Sequence, residues 1–231
     1  MTDSLPPTIL VHGWGGSYEG TYDRTGWGDA FAKAGRGVIG VDLPGHGRKP
    51  ASHDPADYGD MASGLDMLAP PGPLDAVGFS LGAKLVLELA SRAPSRFRRI
   101  VVGGLGDNIF DKDVAGTLAA ELERGFPAEA RARVPVIAKY LDESPSDYLA
   151  LAAVNRRPAN PNADVSRLQA IQSDILIVNG DVDTVAHPND RLRAALPRAR
   201  YLSLAGVGHF TLHAEAQFRQ AALDFLLASA P

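Results

Sequence analysis

The sequence predicts a doubly wound α/β fold. It has a mostly parallel sheet of about six strands, helices on both faces and a helical cap insertion. Three observations carry this prediction. Short apolar runs alternate with longer helix-compatible stretches along the whole chain. The runs are continuously apolar rather than alternating, as expected of strands covered on both faces. A Gly-x-Ser-x-Gly segment, Gly78-Phe79-Ser80-Leu81-Gly82, lies between one such run and a stretch of helical periodicity.

Thr8-Ile9-Leu10-Val11 reads as the first strand and Gly37-Val38-Ile39-Gly40-Val41 as the second. Leu74-Asp75-Ala76-Val77 is the third. After it Leu81, Leu85, Val86 and Leu89 recur at helical spacing. Arg99-Ile100-Val101-Val102-Gly103 is the fourth strand and Ile175-Leu176-Ile177-Val178 the fifth. Arg200-Tyr201-Leu202-Ser203-Leu204, less apolar, is the sixth and belongs near an edge, and a closing helix follows from Ala214 to Ala228. Intervening helices imply right-handed parallel crossovers.

From Asp107 to about Gln172 no strand is evident. Val114 to Phe126, Ala128 to Leu141 and Asp147 to Arg157 have helical character, Pro135 interrupts the second, and Pro158 to Asn162 returns the chain. With no linker-like composition and few large apolar residues, this region reads as a cap on a single domain spanning residues 1–231.

Length and composition fit one soluble domain: 231 residues, 45% apolar and 22% charged. A net charge of −4 gives no electrostatic case for nucleic acid or an anionic membrane. The one basic cluster, Arg96-Phe97-Arg98-Arg99, reads as a solvated approach to a strand. The absence of cysteine excludes disulfides, thiolate catalysis and cysteine-based zinc sites. Met1 to Pro7 lacks the basic-then-apolar pattern of a signal peptide, and no apolar run is long enough to span a bilayer. A cytoplasmic location is the default expectation.

A serine at a strand-to-helix corner has its hydroxyl pushed out of the fold. The helix that begins there offers unpaired N–H groups and a positive dipole end to a developing oxyanion. Such a serine needs a base, and the base needs an orienting acid. His209, in Gly208-His209-Phe210, follows the sixth strand. Asp181 and Asp183, in Asn179-Gly180-Asp181-Val182-Asp183, follow the fifth. Both positions project from the carboxyl end of a parallel sheet, where ligands collect.

These segments together resemble the α/β-hydrolase superfamily over nearly the whole chain. His12-Gly13-Trp14-Gly15-Gly16 is similar to its oxyanion loop, Asp42-Leu43-Pro44-Gly45-His46-Gly47 to its glycine-rich loop, and Gly78 to Gly82 to its nucleophile elbow. Gly180 to Asp183 is similar to its acid loop and Gly208-His209 to its histidine loop. The resemblance implies Ser80 as nucleophile, His209 as general base and then acid, and Asp183 as the orienting acid. Asp183 is favoured over Asp181 because it stands third after the glycine. It also implies the backbone N–H groups of Trp14 and Leu81 as oxyanion donors, with no cofactor and no metal.

The remaining histidines have plainer readings. His12 braces the oxyanion loop and His46 is structural, while His53, His187 and His213 are surface or packing residues. Asp42 ties its own loop, and Phe79 packs beneath the elbow. Phe110, Phe126, Tyr140 and Tyr148 are candidates to line the acyl pocket, or equally to form the cap's core; the Trp14 ring is core or pocket wall. Arg156 and Arg157 are candidates for a substrate carboxylate, with a surface helix end as the plainer role. Ligand spacing for a metal, a dinucleotide fingerprint and a phosphate-binding loop are all missing from the sequence.

Superfamily members often carry an antiparallel hairpin before the oxyanion strand. Here Thr8 opens that strand almost at once, which leaves Gly37 to Val41 near an exposed edge and makes a homodimer an alternative to a monomer. Dehalogenases and epoxide hydrolases place aspartate at the elbow; serine stands here. The resemblance therefore implies a serine hydrolase for a small or medium ester. Thioesterase, lactonase and C–C bond hydrolase are alternatives within the class. A non-enzymatic ligand-binding member and a lyase or synthase lie outside it. The expected partner is a small ester-like molecule.

Overall fold

The computed structural model describes residues 5–49, 51–111, 116–144, 146–158 and 163–228. Among the described residues, six strands form one sheet: β1 Thr8–Val11, β2 Val38–Val41, β3 Leu74–Phe79, β4 Phe97–Gly103, β5 Asp174–Gly180 and β6 Arg200–Leu204. Their order is β2-β1-β3-β4-β5-β6, and every pairing is parallel. The sheet is thus wholly parallel, and the second and sixth strands stand at its edges.

The strands are continuously apolar because alternate residues enter different cores. Ile9, Val11, Ile100, Val102, Ile175 and Ile177 face one side. Leu10, Val77, Phe79, Val101, Leu176 and Val178 face the other. Helices α1 (Trp27–Lys33) and α10 (Ala216–Leu227) cover the second side. Helices α2 (Met61–Met67), α3 (Leu81–Arg92), α8 (Val165–Gln169) and α9 (Asp190–Ala195) cover the first. Helix α3 lies between α2 and α8, so even Lys84 and Glu88 are buried on it.

Between β4 and β5 the described residues rise into four short helices: α4 Gly116–Glu123, α5 Ala128–Arg133, α6 Pro135–Asp142 and α7 Tyr148–Asn155. The expected helix from Ala128 to Leu141 is two helices. Val134 leaves the helical region (φ −133°, ψ 59°), and Pro135, which has no N–H to lose, starts the next one. Asp147 caps α7 by accepting from the N–H groups of Leu149 and Ala150. The cap has a small core of its own, built on alanine and leucine with Phe126. Helix α8 and the turn at Asp107–Ile109 pack on the sheet side instead: Leu168 and Ile109 join the core around α3. Val114 and the return segment 159–162 lie outside the described residues.

From β1 the chain moves outward to β2, then crosses back to β3 on the other side of β1. The carboxyl ends of β1 and β3 therefore flank the topological switch point, where open parallel sheets leave a crevice.

Candidate active site

Ser80 sits in that crevice, between the end of β3 and the first residue of α3. Its backbone has φ 53° and ψ −112°, a region sparsely populated by any residue with a Cβ. The conformation is held from both sides. The Ser80 N–H donates to the Gly103 carbonyl at 2.9 Å, and its carbonyl accepts from the Lys84 N–H at 3.1 Å. The flanking glycines have steric reasons. A Cβ on Gly82 would press into the carbonyl oxygens of Val11 and His12, and one on Gly78 would stand 2.8 Å from Ala83 Cα.

Three side chains from three loops meet here. Ser80 Oγ lies 2.9 Å from His209 Nε2, and His209 Nδ1 lies 2.9 Å from Asp183 Oδ2. A carboxylate can only accept, so Nδ1 carries the proton and Nε2 is left to accept from the serine hydroxyl. Asp183 is 1% exposed, and its other oxygen accepts from the N–H groups of Val185 and Ala186, both at 2.8 Å. Burial alone would push this carboxyl up. The hydrogen bond and charge attraction of His209, with the two backbone N–H groups, outweigh burial and hold it below its ordinary value. Asp181 points away and accepts from the Gly206 N–H at 2.7 Å, which closes the neighbouring turn.

The loop after β1 folds back on itself through a bond from the Gly16 N–H to the Gly13 carbonyl at 3.1 Å. His12 braces it beneath. Its Nε2 accepts from the Leu43 N–H at 3.0 Å, which leaves Nδ1–H to donate to the Gly13 carbonyl at 2.8 Å. Burial lowers the His12 pKa, consistent with this neutral tautomer. Neither the Trp14 nor the Leu81 backbone N–H has a protein acceptor among the described residues. The Leu81 N–H is one of the orphan donors that every helix start leaves.

A cavity of about 250 Å³ opens over Ser80. Trp14 and Tyr140 line it, so the Trp14 ring is pocket wall, and its Nε1–H also donates to the Leu151 carbonyl of α7 at 3.1 Å. That bond ties the oxyanion loop to the cap. Phe79 lines the same cavity and packs against the His209 ring with centroids 5.2 Å apart. Three of the expected lining residues lie elsewhere. Phe126 and Tyr148 pack edge to face inside the cap, centroids 5.8 Å apart, because the cap's own core needs its aromatic rings. Phe110 lies against the sheet-side core with the Arg191 guanidinium 4.7 Å above its ring.

Sequence reasoning passed over Lys84, Asn108, Asn155 and Phe210, which line the cavity, and left Arg157 an open choice. Arg157 is buried and lines it, whereas Arg156 forms an exposed ion pair with Glu123. Asn179 was also missed as more than a loop residue. It is buried and exchanges two hydrogen bonds with the Leu105 backbone, at 3.0 and 2.8 Å, fixing the end of β5 from which the acid loop departs. His213 is a buried packing residue with its ring against Phe79 and Tyr140. His53 is exposed and bonds the cap residue Asp147 at 2.8 Å. Among the described residues, no three His, Asp or Glu side chains come together in a way that could hold a metal ion.

Residues 8–221 match the model of the alpha/beta hydrolase family. The pimeloyl-[acyl-carrier protein] methyl ester esterase of Nitrosomonas europaea is 26% identical over 235 residues, covering 90% of each chain. The protein of the same name from Neisseria meningitidis serogroup B is 34% identical over 102 residues, 43% of this chain, and the match spans only 36% of that relative's length. Among solved structures, the enol-lactonase from Burkholderia xenovorans LB400 superposes with a TM-score of 0.76 over 97% of this chain and 92% of that one; at 20% identity this likeness is one of fold. Together with the sheet order and the nucleophile elbow, the match places the chain in the alpha/beta hydrolase family, as a carboxylesterase-like hydrolase.

Proposed function

We propose that this protein hydrolyses a small or medium carboxylic ester through an acyl-enzyme, with Ser80, His209 and Asp183 as a catalytic triad. The observation that carries the reading is the hydrogen-bonded chain from Ser80 Oγ through His209 to Asp183, ending in a cavity large enough for a small ester. In this mechanism Ser80 Oγ attacks the ester carbonyl as His209 Nε2 takes its proton. Asp183 holds the imidazole in the required tautomer and stabilises the imidazolium.

The carbonyl oxygen becomes an oxyanion in reach of the Trp14 and Leu81 N–H groups. A single donor of this kind is typically worth about 3–4 kcal/mol in the transition state. His209 then protonates the departing alcohol. Water, deprotonated by the same histidine, attacks the acyl-enzyme, and the acid leaves as Ser80 recovers its proton. No step calls for a cofactor.

The Nitrosomonas relative is named for ester hydrolysis, which supports the ester over other acyl substrates. The triad would serve thioesters, lactones or diketones equally well, since chemistry in this fold is set by the pocket.

The test is intact-protein mass spectrometry after treatment with a fluorophosphonate, with Ser80→Ala as control. One adduct on Ser80, absent from the variant, is expected. Ser80→Ala should also lower ester turnover by about six orders of magnitude. Most activity surviving in a clean Ser80→Ala preparation would sink the assignment. Matched esters, thioesters, lactones and diketones then rank the substrate classes.

A further inference from the structure

The oxyanion loop after β1 has little to hold it from within. Gly13, Gly15 and Gly16 belong to it, and glycine leaves a backbone its greatest freedom. The Trp14 N–H lies among them, so its direction depends on what surrounds the loop. Bonds from the Gly16 N–H and from His12 Nδ1–H to the Gly13 carbonyl fix the side nearest β1. The other side lies against the cap.

Helix α6 ends on that side. Tyr140 and Leu141 are adjacent near its end, so their side chains leave the axis about 100° apart. Leu141 enters the cap core, and Tyr140 enters the sheet-side core covered by α1 and α10. Between them they fill the space that side chains on the loop would need. A Cβ on Gly15 would overlap Leu141 Cδ2. One on Gly16 would stand 2.5 Å from the Tyr140 hydroxyl oxygen and 2.8 Å from Thr21 Oγ1. Further along, Ser144 Oγ bonds Ser17 Oγ at 3.1 Å, and Ser17 Oγ accepts from the Gly20 N–H at 3.0 Å. With the Trp14 ring tied to Leu151 of α7, the loop is gripped from the cap at several successive residues. Close packing of this kind yields little.

We propose that Tyr140 and Leu141 are positioning residues of the oxyanion hole. By packing on Gly16 and Gly15 they hold the Trp14 N–H where the oxyanion forms, so helix α6 is part of the catalytic apparatus as well as its roof. This role rests on the hydrolase reading. Leu141, 2% exposed, does not line the cavity, so it acts through the loop. Tyr140 also lines the cavity, and a double-mutant cycle separates its two effects.

The test uses p-nitrophenyl acetate as substrate and trifluoroacetone as inhibitor, with active sites counted by the fluorophosphonate adduct. Ser80 Oγ adds to the trifluoroacetone carbonyl, its proton passes to His209, and the carbonyl oxygen becomes an oxyanion in the same hole. Leu141→Ala should lower kcat by about tenfold or more and weaken the inhibitor by a similar factor, while KM stays within about twofold. An unfolded fraction does not produce this pattern, because an inhibition constant is independent of the amount of enzyme. Gly16→Ala should lower kcat by about a hundredfold, the scale of a misplaced loop. Adding Tyr140→Phe to Gly16→Ala should restore about fivefold or more, because the hydroxyl in the way of the new Cβ is gone. Tyr140→Phe in the wild-type background should give no such gain. Should Leu141→Ala fail to fold, the cycle decides alone.

Inhibitor affinity unchanged in Leu141→Ala, or a change confined to KM, overturns the role of Leu141. A harmless Gly16→Ala, or additive effects in the cycle, overturns that of Tyr140. Labelling separates these failures from failure of the hydrolase reading. Ser80 labelled, with either of those results, removes the positioning role and leaves the hydrolase. Ser80 unlabelled with no ester cleaved removes both.

Discussion

At Ser80 the backbone is held in a conformation that a free chain avoids, and the hydrogen bonds to Gly103 and Lys84 on either side are what hold it. The side chain is thereby fixed at His209, whose tautomer is set in turn by Asp183. Replacing Asp183 by Asn would present an amide to Nδ1 and favour the wrong tautomer. Asp183→Asn should lower kcat by about four orders of magnitude with little change in fold, as judged by steady-state kinetics beside circular dichroism. Asp181→Asn, which touches only the Gly206 N–H, should stay within a few-fold of wild type, and a large loss there would reassign the acid.

Ser80, His209 and the acid loop with Asp181 and Asp183 were legible in the sequence because each sits in a short motif whose backbone shape is encoded locally. Phe126 and Tyr148 were not, since a ring in an amphipathic helix can face cap core or cavity, and only the packing of α4 against α7 decides.

Elements join at the site through close approach of backbone. Helix α3 meets β1 at Gly82, where any side chain would press into the Val11 and His12 carbonyls. Gly82→Ala must push α3 away from β1, and with it the Ser80 hydroxyl and the Leu81 N–H. A cost of about 1–3 kcal/mol in urea denaturation is expected. Activity should fall by about a hundredfold, the scale of a misplacement near 1 Å. Unchanged stability and activity would show that the contact yields more easily than packed backbone should.

The cap is tied to the segment after β1 by Trp14 Nε1–H on the Leu151 carbonyl and by the buried Ser17 Oγ–Ser144 Oγ bond, and to the segment before α2 by His53 on Asp147. Trp14→Phe keeps an aromatic wall and removes one hydrogen bond worth about 1 kcal/mol net, so KM should rise by several-fold with a smaller change in kcat. The break between α5 and α6 was visible as Pro135, because a ring without an N–H acts wherever it stands. That α8 belongs to the sheet side was not visible, because its burial against α3 and α9 depends on segments distant in sequence.

For the whole molecule, titration of buried histidines sets how stability responds to acid. Burial, with His12 and Arg157 adding repulsion, lowers the His46 pKa to about 3, although its bond to the Pro44 carbonyl opposes the shift. Burial, with His209 adding repulsion, lowers His213 to about 4. In the unfolded chain both titrate near their ordinary value of 6.5. Above that pH both are neutral in either state and stability is flat on their account. As pH falls from 6.5 toward 4, the unfolded chain takes up protons that the folded one refuses. Stability then drops by up to about 1.4 kcal/mol per pH unit for each histidine. A urea-denaturation series from pH 8 to pH 4.5 checks this, and a stability independent of pH over that span would contradict it.

Both sheet edges are short strands, β2 with 4 residues and β6 with 5, which limits pairing between copies. Light scattering across a concentration series should give a monomer mass; growth toward twice that mass would implicate the open β2 edge. No helix among the described residues is long and apolar enough to cross a membrane.

The sequence by itself determined the sheet, the elbow, the Ser80 and His209 positions, and the loop that carries Asp181 and Asp183. Strand burial, tight turns and helix starts are short-range demands written in neighbouring residues. Tertiary structure decided what surrounds them. It decided that Asp183 rather than Asp181 meets His209, that Tyr140 lines the cavity while Phe110, Phe126 and Tyr148 do not, and that Lys84 and Arg157 are buried in one recess. Each of those outcomes depends on how loops and cap helices from distant parts of the chain settle over the sheet, and no local pattern carries that information.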